Sequence, residues 1–193
     1  IGLKASAYED LTETNNNDEY EFILPDIILD KNLFSSNKYG YADLQSNLIF
    51  HNFETNKLTK FFINDIDWKY KENKYSSGIK GRLLGKLKNV NYETKNTEIY
   101  KNDTTNELFG AIGYLAQLDL FKKMRDNGSH ILTPKLLLRY APGHMRKETE
   151  KTRLSHANIF TLDRLNTNKN FESGLSSTIG FNYEFETSDK KLD

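Results

Sequence analysis

The sequence predicts an all-β protein, an antiparallel meander of about eight long strands forming an arc of an outer-membrane β-barrel. Three observations carry this. Six segments alternate with period two, the two faces of those segments differ completely in charge, and several segments run 11 to 16 residues. One face holds 36 positions without a single Asp, Glu, Lys or Arg, while the 36 facing positions hold 15. At 28% charged residues overall, an even split would put about ten on each face. Strands of ordinary globular sheets span about 5–6 residues, whereas a tilted membrane strand needs about 9–11.

Two weaker strands open the chain near 1–12 and 19–30. In 42–52, Ala42, Leu44, Ser46, Leu48, Phe50 and Asn52 share the uncharged face. In 61–71 that face reads Phe62, Asn64, Ile66, Trp68, Tyr70, and the other carries Asp65, Asp67, Lys69 and Lys71. In 79–88, Leu83 and Leu87 oppose Lys80, Arg82, Lys86 and Lys88. The 108–121 segment continues with Leu108, Ile112, Tyr114 and Leu118. In 131–140, Leu132, Pro134, Leu136, Leu138 and Tyr140 oppose Lys135 and Arg139. The last strand, 171–186, sets Phe171, Ser173, Leu175, Ile179, Phe181, Tyr183 and Phe185 against Glu172, Ser176, Thr178, Glu184 and Glu186. The expected lipid-facing residues are therefore Leu48, Phe50, Ile66, Trp68, Leu83, Leu136, Leu138, Ile179 and Phe181. The expected lumen-facing residues are Asp65, Asp67, Lys80, Arg82, Lys86, Lys88, Lys135 and Arg139. On this reading Arg is costly at Leu83, Leu136 or Ile179 and mild at Ser176 or Thr178.

The connections 72–75 and 123–128 are short, and 94–106 and 141–170 are long and polar. Outer-membrane barrels pair short periplasmic turns with long external loops. Placing 141–170 outside puts 94–106 outside too, together with the tight Glu54-Thr55-Asn56 turn, and both short turns inside. Trp68, Tyr70, Tyr183 and Phe185 then end the inward-running strands, while Tyr140 and Phe171 flank the long external loop, as two interfacial aromatic belts. Proline cannot donate to a ladder, so Pro25 and Pro134 are expected at a strand entry, a bulge or a poorly paired edge, strand entry foremost.

The chain has 193 residues, 27 basic and 27 acidic side chains and no cysteine. Zero formal charge gives no reason to expect nucleic acid as partner. Without cysteine there is no disulfide framework, zinc-thiolate site or Cys nucleophile. Its mean hydropathy of −0.71 averages an uncharged face with a charged one. The chain begins Ile1-Gly2-Leu3 without a leader pattern and is expected to continue in both directions as part of something longer.

Catalytic chemistry finds little support. His51, His130, His144 and His156 form no HxxxH or HExxH spacing. Asp65 and Asp67 resemble a carboxylate pair, but Lys69 and Lys71 beside them favour a solvated wall. Lys80, Arg82, Lys86 and Lys88 form a basic ladder able to meet phosphates, or more simply a wall balanced by acidic neighbours. Gly81, Gly85, Gly110, Gly113, Gly174 and Gly180 are read as points of curvature. The polar long loops are read as solvated.

Several stretches carry a family resemblance. Glu21-Phe22-Ile23-Leu24-Pro25-Asp26-Ile27, Thr133-Pro134-Lys135-Leu136-Leu137-Leu138-Arg139-Tyr140-Ala141-Pro142, Asn158-Ile159-Phe160-Thr161-Leu162-Asp163-Arg164-Leu165 and Glu172-Ser173-Gly174-Leu175-Ser176-Ser177-Thr178-Ile179-Gly180-Phe181-Asn182-Tyr183 together resemble the middle barrel section of the LptD family. These are the LPS-assembly outer-membrane proteins, also called organic solvent tolerance proteins. The resemblance spans most of the chain and is sharpest in 131–185. It implies a Gram-negative cell outer-membrane location and a non-enzymatic barrel without cofactor. Its partners would be lipopolysaccharide, outer-membrane lipid, an LptE-like lipoprotein plug and periplasmic LPS-bridge proteins. It carries over Pro25 and Pro134 as strand prolines and 141–170 as an external loop. The chain lacks the family's jelly roll and cysteines and supplies too few strands for a whole barrel, so no gate residue is carried over. Two other readings stay open: a porin-like outer-membrane channel and a soluble β-sandwich or lipocalin-like binding module.

Overall fold

A computed structural model describes residues 1–9, 20–53, 57–97, 100, 102–124, 128–143, 154–165, 167, 169–186 and 191–192. The Glu54-Thr55-Asn56 turn and His144 lie outside the described residues. The strands are β1 (Gly2–Glu9), β2 (Tyr20–Ser36), β3 (Gly40–Phe53), β4 (Lys57–Lys69), β5 (Asn73–Lys74), β6 (Ile79–Lys95), β7 (Thr105–Leu118), β8 (Leu120–Lys123), β9 (Ser129–Ala141), β10 (Gly174–Glu186) and β11 (Lys191–Leu192). They form one antiparallel sheet in the order β1-β2-β3-β4-β6-β7-β9-β10-β11, with β5 on β6 and β8 on β9. The sheet is an open arc: no pairing among the described residues joins its two ends. The all-β meander expected from the alternation is what forms.

Register explains why alternation was so clean. Partners across an antiparallel pair share a face. One row of pairs runs Trp68, Gly85, Ile112, Tyr140, Leu175 from β4 to β10. The opposite face carries the row Asp43, Asp67, Lys86, Ala111. The uncharged face is bare: Leu175 is 80% and Ile179 81% exposed, and Phe62, Leu87, Leu108, Ile112, Leu138 and Phe181 are also exposed. The other face is covered over its middle strands, while Asp43, Gln45, Lys69 and Asn182 on it stay exposed. Phe61, Ile63, Leu84, Val90, Tyr92, Phe109, Ala111, Leu137 and Ala141 are buried there together with Leu162 and Phe171, which come from the segment between β9 and β10. The described residues of that segment, 154–165, 167 and 169–173, fold back as a strap across the charged face. The solvated-loop expectation for this part of 141–170 is therefore corrected: it buries apolar side chains.

Several boundaries shift. β6 extends to Lys95, seven residues past the expected 88, and β7 begins at Thr105, so the 94–106 connection shortens. The last strand starts at Gly174 rather than at 171. Gly174 has φ +108, a left-handed turn that breaks the alternation between strap and strand. Phe171 consequently leaves the uncharged face and is buried on the opposite one. Thr178 is 6% exposed, so Arg there is not mild, which corrects that expectation.

Neither proline enters a strand at its end. Pairing passes from Ile23–His51 to Asp26–Ile49 on one side of β2, and from Ile23–Ser6 to Asp26–Lys4 on the other. Leu24 and Pro25 thus form a bulge facing both neighbours, where no ladder donor is needed. Beside β9, pairing with β7 stops at Lys135–Gln117 and resumes with β8 at Leu132–Leu120. Pro134 falls in that gap, while its β10 side keeps register opposite Phe181.

The in-strand glycines admit large neighbours. A Cβ at Gly85 would stand 2.9 Å from Trp68 Cε3, and one at Gly81 would overlap the Tyr114 hydroxyl. Close approach, rather than curvature alone, explains these positions.

Phe61 is buried among Tyr92 and Tyr100, with ring centroids at 5.6 and 5.1 Å. Phe61→Ala is expected to destabilise the fold by about 3–5 kcal/mol, as for a large aromatic removed from a packed cluster. Urea unfolding followed by circular dichroism measures it, and a loss below about 1 kcal/mol would contradict the packed-face description.

Candidate functional site

The strap begins as a knot around Asn158. Asn158 Oδ1 accepts from Ser155 N at 2.8 Å, its carbonyl accepts from Thr161 N at 3.0 Å, and its Nδ2 donates to Arg164 O at 3.1 Å. Asparagine suits such a turn because its short amide mimics backbone donors and acceptors. Farther along, Arg164 grips Glu172 in a two-point fork, Nε to Oε2 at 2.8 Å and Nη2 to Oε1 at 2.5 Å. This planar pairing fixes both residues and closes the strap into a loop.

The wall holds that loop with cations. Arg139, 1% exposed, donates Nε to Leu162 O at 2.6 Å and Nη2 to Glu172 O at 2.5 Å. Lys88, also 1% exposed, donates to Thr167 O at 2.9 Å and pairs with Asp163 at 2.6 Å. Phe171 lies below both, stacked on Phe109 at 6.2 Å, with Arg139 at 5.4 Å and Lys88 at 5.9 Å from its ring. Lys169 sits 4.5 Å over Phe61. Burying two cations is tolerable because each is hydrogen-bonded and set against an aromatic face.

All eight charged residues expected on one face share it: Asp65, Asp67, Lys80, Arg82, Lys86, Lys88, Lys135 and Arg139. The nine expected on the uncharged face, Leu48, Phe50, Ile66, Trp68, Leu83, Leu136, Leu138, Ile179 and Phe181, share the other. The solvated-wall expectation fails at Asp65, Lys88 and Arg139, because the strap buries them. The ladder cations are neutralised in place. Lys80 pairs with Asp119 at 2.5 Å, Arg82 with Glu72 at 3.3 Å, and Lys86 with Asp67 at 2.8 Å and Asp65 at 3.5 Å. With acids this close, the ladder is not a standing phosphate site. Between strap and wall lies a polar cavity of about 460 Å³, lined by Gln45, Asp65, Asp67, Lys86, Lys88 and Asp163 among others.

Sequence reasoning missed Leu162, Asp163, Arg164, Phe171 and Glu172 as partners of the wall. The available signal was a charged, Asn-anchored stretch, 158–172, that carries Phe160, Leu162 and Phe171 inside an otherwise polar loop. Among the described residues there is no cluster of three or more His, Cys, Asp or Glu able to hold a metal ion.

Fold and site define an open antiparallel β arc with one bare apolar face and one charged face partly covered by the chain's own strap. No protein-family model matches the chain, and no curated protein matches it.

Arg139 carries the strap, so Arg139→Met is expected to free it by leaving Leu162 O and Glu172 O without donors, at about 1–3 kcal/mol each. Limited proteolysis should then cut within 154–172, while Lys135→Met should leave that segment as resistant as in the parent chain. Equal resistance of both variants would contradict the anchoring role.

Proposed function

We propose that the chain is a wall segment of an outer-membrane β-barrel, and that the barrel belongs to the LptD-like class that assembles lipopolysaccharide into the outer leaflet. The observation that supports the wall reading is the inversion of the two faces. A soluble sheet buries its apolar face and wets its charged one. Here the chain covers the middle of its charged face and leaves the apolar one bare. Exposed apolar area on this scale requires a covering partner, and lipid fits its shape.

The bare face is also banded. In β6 it is apolar or glycine from Ile79 to Leu87, then becomes Asn89, Asn91 and Glu93. In β9 and β10 the band runs from Leu132 to Tyr140 and from Leu175 to Tyr183. Each run matches the roughly 9–11 residues a tilted strand needs to cross a bilayer. One border is an asparagine row, with Asn91 donating to Asn89 at 2.6 Å, followed by the Lys60–Glu93 ion pair at 3.1 Å. The other border holds Trp68, Tyr70, Tyr75 and Tyr183. Trp68 Nε1 donates to Tyr39 O at 2.9 Å, the arrangement of an interfacial aromatic with its polar tip satisfied.

The finer reading rests on the resemblance of 21–27, 133–142, 158–165 and 172–183 to LptD. On that reading the partners are lipopolysaccharide, an LptE-like plug, periplasmic bridge proteins and outer-membrane lipid. Depleting the full-length protein should stop newly made lipopolysaccharide from reaching the cell surface. A protein that conducts ions, and whose loss leaves surface lipopolysaccharide unchanged, would instead be a porin.

Leu83, Leu136 and Ile179 sit midway along the apolar band. Arg at any of the three should destabilise the inserted barrel by about 2–4 kcal/mol. Gln45→Arg, on the charged face beside Asp30 and Asp65, should cost little. Denaturant titration in lipid vesicles measures both, and equal tolerance of the two sets would refute a lipid-facing assignment.

A further inference from the structure

Resting on the barrel-wall reading, we infer that the strap is a resident intramolecular plug, docked in the assembled protein and sealing the lumenal side of this arc against solutes. Three features of the fit carry the inference.

First, one guanidinium ties both ends of the docked loop. Arg139 holds Leu162 near its start and Glu172 at its end, and the Arg164–Glu172 fork closes the loop between them. The strap is therefore held as a ring, not by a single point from which it could swing. Second, the wall is shaped to receive it. A Cβ at Gly113 would stand 2.6 Å from Leu162 Cδ2, and one at Gly180 would stand 3.0 Å from Phe160 Cζ. Glycine occurs on two different strands opposite Leu162 and Phe160 of the strap, so wall and strap are complementary in shape as well as in charge. Third, the strap completes the wall's electrostatics. Asp163 supplies the closest carboxylate to buried Lys88, at 2.6 Å against 3.9 Å for the wall's own Asp65. A wall without its strap would expose Phe109, now under Phe171, and Leu137, which meets Leu162 around Gly113, on the side that a barrel fills with water. Sheet faces that line open pores are polar, and this one is half apolar beneath the strap. Between wall and strap a polar hollow of about 460 Å³ stays open, bounded by Asp65 and Lys88 on one side and by Asn158, Thr161 and Asp163 on the other. A second, of about 410 Å³, lies beyond the strap along Asp30, Asp43 and Lys69.

The test uses the full-length protein reconstituted in lipid vesicles. The chain contributes no cysteine, so a Gln45→Cys, Ser155→Cys pair, exposed positions that line one hollow from the wall and from the strap, can be joined by a short bifunctional maleimide without competing thiols from this segment. Efficient joining in the inserted protein is expected, and its absence would overturn residence of the plug. Replacing residues 155–171 by a Gly-Ser linker should raise vesicle swelling in a trisaccharide several-fold. Leu162→Asp, which changes only the strap, should raise it in the same direction and is the variant to read if the replacement no longer inserts. Unchanged swelling in an inserted variant that has lost the Cys–Cys joining would overturn the sealing role. A parent protein that fails to insert at all fails the wall reading itself, an outcome separate from insertion without sealing.

Discussion

The grip of Arg139 on two backbone carbonyls is the interaction around which the covered face is organised. A guanidinium is the side chain for this task because its planar fork offers several donors in fixed directions. Its burial would be prohibitive alone. Here Leu162 O and Glu172 O take two donors, and Phe171 presents its ring at 5.4 Å. From this centre the rest follows outward. Phe171 seats on Phe109, Lys88 reaches Asp163 and Thr167, and Leu162 enters the space that Gly113 leaves. The face that carries most of the chain's strand charge thereby becomes its best-packed region.

Small residues and prolines mark where backbone or side chain must pass closely. Gly85 and Gly81 lie under Trp68 and Tyr114 on the bare face, and Gly113 and Gly180 lie under the strap on the covered one. The same residue type thus serves aromatic packing on one side and plug docking on the other. Pro25 and Pro134 occupy positions where the ladder already lacks a partner, a bulge in β2 and the gap between β7 and β8. Their missing N–H costs nothing there, and their presence holds the irregularity in place.

Much of the fold was legible in the sequence. Leu132, Pro134, Leu136, Leu138 and Tyr140 share a face because a strand has a period of two, and no tertiary contact is needed to know it. The same parity placed Asp65 beside Lys88 and Lys86 once strand order was known. The site was less legible. Phe171 obeyed the alternation of the following strand as far as the sequence could tell, yet a left-handed Gly174 resets the phase. The apolar residues of the charged face, Phe61, Ile63 and Leu137, were visible but had no stated partner. Their partner was a loop whose polar composition masked Phe160, Leu162 and Phe171.

By itself the sequence determined the strands, the antiparallel meander and which residues share a face, because those follow from a local period that each strand repeats independently. Only the tertiary structure decided what covers each face. The strap joins Leu162 to Arg139 and Thr167 to Lys88 across 23 and 79 residues of chain. Contacts at such separations depend on the assembled register of β4, β6, β7 and β9 and leave no periodic trace in any one segment.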